Sequence, residues 1–270
     1  MPFTLSHPAA VLPLRRYRLP LSALFVGSMA PDFEYFLRLV QQDRSAHTFP
    51  GVLVLSLPAA LVALFVFQVV MKWPVISLMP RAWQIRLVGP AGQFQWWPAR
   101  RFFLILASLA VGIATHIAWD GLTHSDGWVV TQWPSLRAPL FSMAGTTIST
   151  YKLAQHGSTL VGVLILAVYL ARWYRRAPQE PDRLLVQLSS AARFVLVFAF
   201  IVVAVTAGVG RGVASARLST GLPALQHLVS GFAVTTISVA GLELFGFSLI
   251  WRVFLGKGAQ QRTATALSQQ

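Results

Sequence analysis

The chain has 270 residues, 55% of them hydrophobic and only 11% charged, with a formal net charge of +14 and no cysteine. Soluble domains carry roughly 25% charged residues, so water is a poor solvent for most of this chain. Without cysteine there is no disulfide, thiolate ligand or thiol nucleophile, and metal chemistry must draw on histidine and carboxylate. Lys and Arg are spread over nearly every interval between apolar runs. That distribution argues against nucleic-acid binding and for lipid headgroups and topology control as the reason for the charge.

The opening does not read as a secretory signal, because Arg15, Arg16 and Arg18 follow a proline-rich start and no clean apolar core with a small-residue cleavage site comes after them. The N-terminus is expected to be retained. In GSMAPDFEYF, Gly27 and Pro31 break a helix and offer Asp32 either as a ligand or as the N-cap of the next helix, with the ligand reading favoured. Glu34 and Asp43 read as solvated charges.

Span one is expected from Val52 to Met71, uncharged, with Pro58 near its start and Lys72 and Trp73 closing it at the interface. Span two runs from about Phe102 to Trp119, behind an anchor of Trp96, Trp97, Arg100 and Arg101. Spans three, four and five follow at Gly157 to Tyr174, Phe194 to Val209 and Leu228 to Phe254. The loop RRAPQEPDR separates spans three and four, and the tail from Lys257 is polar and expected to be disordered. The expected fold is an all-α, multi-pass bundle of about five spanning helices. It divides into residues 1–174, with the His/Asp motifs and spans one to three, residues 175–256 with two further spans, and a tail at 257–270.

Lys and Arg number five in residues 72–101, two in 121–156, five in 172–193, two in 210–227 and three after 251. The alternation puts the richer loops and the C-terminus in the cytoplasm of a bacterial-type inner membrane, and the His/Asp face outside. The five Arg residues of the N-terminal region count against this orientation.

The polar residues gather by position. His7, Asp32 and His47 precede span one, His116, Asp120 and His124 end span two, and His156 begins span three. Antiparallel neighbours bring those ends to one membrane face. In HIAWDGLTH, residues 116, 120 and 124 are spaced by four, one face of a helix if Gly121 lets it continue. Such a set suits one or two divalent ions, zinc foremost and manganese as an alternative. The bland alternative is that His116 and Asp120 pair with each other or cap a helix end. Asp126, in HSDGW, reads as an outer-shell acceptor or a turn residue. Glu243, inside span five, is a functional candidate by its membrane setting, with His227 or an Arg as partner.

The motifs MPFTLSHPAAVLPL, GSMAPDFEYF, HTFPG, HIAWDGLTHSDGW and YKLAQHGST, in that order over residues 1 to about 165, resemble the bacterial membrane-protein family designated domain of unknown function 4184. The order of His and Asp is also similar to the zinc-dependent phospholipase C and zinc nuclease superfamily and to membrane-bound metal-dependent hydrolases. That resemblance implies one metal on Asp32, His47, His116 and Asp120, with Asp120 bridging to a second on His7. His124 and His156 would hold a third, but Leu160 stands where the superfamily has a glutamate, and no processed N-terminal amine is available. One or two ions are therefore the expectation.

Together these readings lead to a membrane-embedded, metal-dependent phosphoester hydrolase, with Asp32 or Asp126 assisting proton transfer and membrane lipid as its surroundings. The alternatives are a non-enzymatic protein with a structural or transport-related metal site, or an assembly subunit.

Overall fold

The computed structural model describes residues 4–39, 45–143, 146–180, 188–217 and 219–254. Asp43 and the tail expected to be disordered lie outside the described residues. Apart from a hairpin of β1 (Pro139–Met143) and β2 (Thr146–Ser149), the regular structure is helical.

Five helices are long and apolar enough to cross a membrane. Span one runs Phe49–Leu78, span two Ala99–Thr123, span three Thr150–Arg176, span four Ser190–Ala216 and span five Gly221–Phe254. Each extends past its expected bounds, since an uncharged run marks the apolar stretch of a helix and not its ends. Beyond Pro50 in its first turn, span one passes two prolines, Pro58 and Pro74. Each lacks an N–H and crowds the carbonyl four residues earlier. Those carbonyls, of Val54 and Val70, fall in two wider turns of π type, Val52–Ser56 and Val66–Met71. The Val70 carbonyl accepts from Arg252 Nε of span five at 3.2 Å, which satisfies a group freed by Pro74.

The distribution of side chains is that of a membrane bundle. Large apolar residues such as Val54, Phe103, Leu160, Phe194 and Phe198 face outward, whereas Ser28, Ser56, Ser108 and Ser248 are buried. Lipid tails are as apolar as leucine, so close packing of small residues holds the helices together. In spans four and five, a Cβ on Gly212 would stand 2.7 Å from the Leu228 carbonyl oxygen.

The N-terminal region forms a helical hairpin. Its descending arm comprises Pro8–Val11 and Leu12–Tyr17, and its returning arm Leu21–Met29 and Ala30–Asp32. Ser6 lies against Gly162 of span three, the Arg15 guanidinium stands 5.4 Å from the Tyr169 ring, and Arg18 lines a cavity with Lys72, Arg100 and Arg101. Ser22 then meets Gln68 at 3.1 Å, and Ser28 and Asp32 meet His116. The tip thus reaches the end opposite to the histidines. Three of the five Arg residues that counted against the charge alternation, Arg15, Arg16 and Arg18, sit at the end that also holds Arg86, whose Nε reaches the Tyr174 carbonyl at 3.0 Å, and Arg193, whose Nη1 reaches that of Met79 at 3.0 Å, whereas Arg38 follows Asp32 at the histidine end and Arg44 lies outside the described residues.

Candidate metal centre

Four chain segments converge at the other end. The returning arm of the hairpin packs on span two through glycine: a Cβ on Gly27 would lie 2.3 Å from the Leu109 carbonyl oxygen, and one on Gly112 2.5 Å from that of Leu24. This backbone contact brings the Ser28 carbonyl to 2.8 Å from His116 Nδ1. A carbonyl only accepts, so Nδ1 carries the proton and Nε2 points into the cluster. Asp32 follows Pro31 on the turn Ala30–Asp32 and makes no side-chain cap to the helix Phe33–Arg38. Its Oδ2 accepts from Thr4 Oγ1 at 2.5 Å, which leaves Oδ1 facing the histidines.

His47 is set by the motif HTFPG. Thr48 caps span one by accepting from the Gly51 N–H at 3.2 Å, and a Cβ on Gly51 would collide with the Ser45 carbonyl oxygen. The turn Ser45–His47 therefore folds onto the first turn of the helix, held also by Ser56 Oγ donating to the Ala46 carbonyl at 2.7 Å. Span two stays helical through Gly121 to Thr123, so His116 and Asp120 stack one turn apart. Gly121 is needed because Trp128 folds back onto it, and its Cβ would meet Trp128 Nε1 at 2.5 Å.

The resulting geometry is specific. His47 Nε2 lies 3.5 Å from both Asp32 Oδ1 and Asp120 Oδ2, and His116 Nε2 lies 3.6 and 3.5 Å from the same two atoms. Charge-assisted N–H···O bonds are shorter, about 2.7–2.9 Å. Two ligands about 2.0–2.1 Å from a shared zinc, at the tetrahedral angle, stand about 3.3–3.4 Å apart. Asp32 and His116 are fully buried, and His7, Asp120 and the His47 side chain nearly so. Among the described residues no hydrogen bond reaches His116 Nε2, His47 Nε2, Asp32 Oδ1 or either ring nitrogen of His7. Buried polar atoms without partners are costly, and three such atoms, Asp32 Oδ1, His47 Nε2 and His116 Nε2, surround one point together with Asp120 Oδ2. The donor set fits a divalent ion.

The other Asp120 oxygen faces outward from that set, 3.8 Å from His7 Nε2 and 3.4 Å from His124 Nδ1. His124 Nδ1 is also 3.2 Å from the Asp120 backbone carbonyl, an acceptor, so in this arrangement that nitrogen holds a proton. The bridging side of Asp120 is therefore less well supplied with donors.

Burial, reinforced by the neighbouring His116, pushes His7 down to about 3, so its ring stays neutral and keeps a lone pair. Burial alone would raise the Asp32 carboxyl, but contacts from His116 and His47 outweigh it and hold the group below its ordinary range. For His47, burial pulls downward, and the Asp120 and Asp32 carboxylates outweigh it and lift the ring above its ordinary value.

Six of the seven histidine and aspartate side chains expected at this face meet. His156 does not. Gln155 and Gly162 are the buried positions of span three, and His156, next in rotation, is exposed and lines a cavity towards span five. Asp126 is exposed on the turn after span two and belongs to neither group of donors that converge within 4.8 Å. Glu243 has a buried Oε2 without a hydrogen bond, and His227 cannot be its partner: the two are sixteen residues apart on one helix, about 24 Å along its axis. The sequence reading missed Thr4, the Ser28 carbonyl and Tyr35, whose ring stacks 6.0 Å from that of His47. A hydroxyl three residues before His7 was the one available signal.

A family model described as a domain of unknown function, DUF4184, matches residues 1–249. The chain belongs to this family. The DUF4184 match extends through most of span five, beyond the residues 1 to 165 over which the motifs were legible. No curated protein and no solved structure matches the chain.

Proposed function

We propose that this DUF4184 protein is a membrane-embedded, metal-dependent hydrolase of phosphoesters presented at the membrane surface. The observation that carries the reading is the four-donor set of two imidazoles and two carboxylates, buried and spaced for a shared ion. Structural zinc sites are built mostly from cysteine, whereas mixed histidine and carboxylate sets are those of hydrolytic sites. A zinc or manganese ion held there supplies Lewis acidity to a phosphoryl oxygen and to water.

The chain's own groups divide the remaining work. Ser28 and Thr4 fix the donors, since they orient His116 and Asp32 from behind. Asp32 has one oxygen on Thr4 and the other among the donors, so its role is to hold the ion, and proton transfer falls to a group nearer solvent, for which Asp126 stands on the exposed turn six residues after Asp120. Beside the centre lies a cavity of about 750 Å³, which shares Thr4 and Tyr35 with it. Lys152, His156 and His227 offer donors there to an anion, and Leu225, Val229 and Ile237 offer an apolar wall. An amphiphilic phosphoester matches that lining. By the positive-inside rule the cation-rich end is cytoplasmic and the centre faces out. His7, through the second Asp120 oxygen, is the site of a second ion where one binds.

Four protein donors with little exposure also describe a structural ion, and this is the second reading. The test is elemental analysis of detergent-purified protein together with hydrolysis of a soluble phosphodiester and of phospholipid in mixed micelles, for wild type, His116→Ala and Asp120→Asn. Bound zinc or manganese and hydrolysis, both lost in the variants, support the hydrolase. Metal without hydrolysis supports the structural ion, and no metal after reconstitution overturns both.

A further inference from the structure

The end of the molecule remote from the metal centre carries a second cavity, also of about 750 Å³. It lies where the tip of the N-terminal hairpin meets the end of span one, the start of span two and the helix Arg81–Gly92. Arg18, Lys72, Arg100 and Arg101 all line it, from three separate segments. No aspartate or glutamate is among its lining residues, and among the described residues none of the four cations forms an ion pair. The rest of the wall is largely apolar, including Phe67, Ile76, Phe94 and Leu104.

Gathering four cations around one cavity is unfavourable through mutual repulsion, and most so beside apolar walls that cannot screen it. Lys72 illustrates the local chemistry. Its Nζ donates to Gln68 Oε1 at 3.0 Å and to the Ala91 carbonyl at 2.8 Å, which fixes the ammonium and leaves its third proton for another acceptor. The three guanidiniums are exposed and present forks suited to a phosphate. A ligand that satisfies both halves of this lining has an anionic phosphate head and an apolar tail.

We propose that this cavity is a binding site for an anionic phospholipid, with the phosphate held by Arg18, Lys72, Arg100 and Arg101 and an acyl chain against Phe67, Ile76 and Leu104. Basic pockets between membrane helices are suited to such headgroups. The site does not depend on the hydrolase reading, because it shares no residue with the metal centre. It acts on the fold instead. Arg18 is the tip of the hairpin whose arms end at His7 and Asp32, so a lipid phosphate here pins that hairpin from its far side.

The test is native mass spectrometry of the full chain, equilibrated in detergent with equimolar phosphatidylglycerol and phosphatidylcholine of the same acyl chains. Wild type is expected to retain phosphatidylglycerol preferentially. Each cation removed, in Lys72→Gln and in the double variant Arg100→Gln, Arg101→Gln, lowers that retention by about five-fold. The double variant Arg175→Gln, Arg176→Gln, at the same end but outside the cavity, keeps it. The arginine variants are exposed, so a thermal melt in lipid-free detergent is expected to show them folded. Equal retention of the two lipids, or retention unchanged in the cavity variants, overturns the proposal. Saturable binding of inorganic phosphate that leaves phosphatidylglycerol retention unselective overturns the lipid assignment in favour of a free anion.

Discussion

His116 Nδ1 donates to the Ser28 backbone carbonyl across 2.8 Å, and the contact exists because Gly27 and Gly112 let two helices touch backbone to backbone. Gly112→Val places a Cβ 2.5 Å from the Leu24 carbonyl oxygen and 2.7 Å from the Ser28 nitrogen, neither of which can yield without moving the helix. The variant is expected to lose about 1–3 kcal/mol of stability and most of its bound metal. Gly157→Ala, where nothing lies within 4 Å, is the control and should match or exceed wild type. Thermal unfolding in detergent with elemental analysis reads both.

Thr4 acts on the ion only through Asp32. Thr4→Val removes the hydrogen bond to Oδ2 and frees the carboxylate to rotate. A loss of about 10- to 100-fold in metal affinity is expected, in line with other partners that orient a ligand, and Thr4→Ser should restore most of it. A competition titration against a chelator of known affinity decides; equal affinities for wild type and Thr4→Val would show that Asp32 needs no such support.

His156 and His47 should separate cleanly. His47→Ala removes one of four donors around the shared point and is expected to empty the centre. His156→Ala, on the exposed side of span three, should leave the metal content unchanged. Metal lost in equal measure from both would mean that a third ion binds across span three.

Metal binding should be coupled to protons with a definite sign. His47 is held above its ordinary value by the two carboxylates, so it keeps its proton to a higher pH than a free imidazole, and an incoming ion must displace that proton. His7, pushed down to about 3, is already neutral and releases none. Affinity is therefore expected to rise with pH through neutrality. Calorimetry in two buffers of different ionisation enthalpy counts the protons released; a count of zero near pH 6.5 would contradict this account.

The five spans were legible because lipid demands a long uncharged run and little else of similar length occurs in the chain. The hairpin at residues 4–32 was not. Its longest regular piece, Leu21–Met29, has nine residues, too few to register as a span, and Pro8, Pro13, Pro20 and Pro31 divide the segment as they would a surface loop. What shows it running alongside the spans is its contacts, Gly27 and Ser28 against Gly112 and His116 and Ser22 against Gln68. Within the site, knowing which helix ends are neighbours was enough to group His7, Asp32, His47, His116, Asp120 and His124. It was not enough for His156, since proximity of helix ends gives a residue's depth and not the direction in which it faces. That direction is set by Gln155 and Gly162, which take the buried side of span three.

The donors are also ordered in time. His7, Asp32 and His47 leave the ribosome before any full span exists, while His116 and Asp120 emerge only when span two is nearly complete. The hairpin, with Arg15, Arg16 and Arg18 at its tip, meets span one through Ser22 and Gln68, but its backbone-to-backbone seat, Gly27 on Leu109 and Leu24 on Gly112, forms only once span two arrives. Biogenesis therefore runs through an interval in which the nascent chain holds three of its donors exposed, and the arrival of one helix both buries the hairpin and closes the centre. Spans four and five, made last, contribute none of these donors, and span five adds instead the far wall of the cavity beside them.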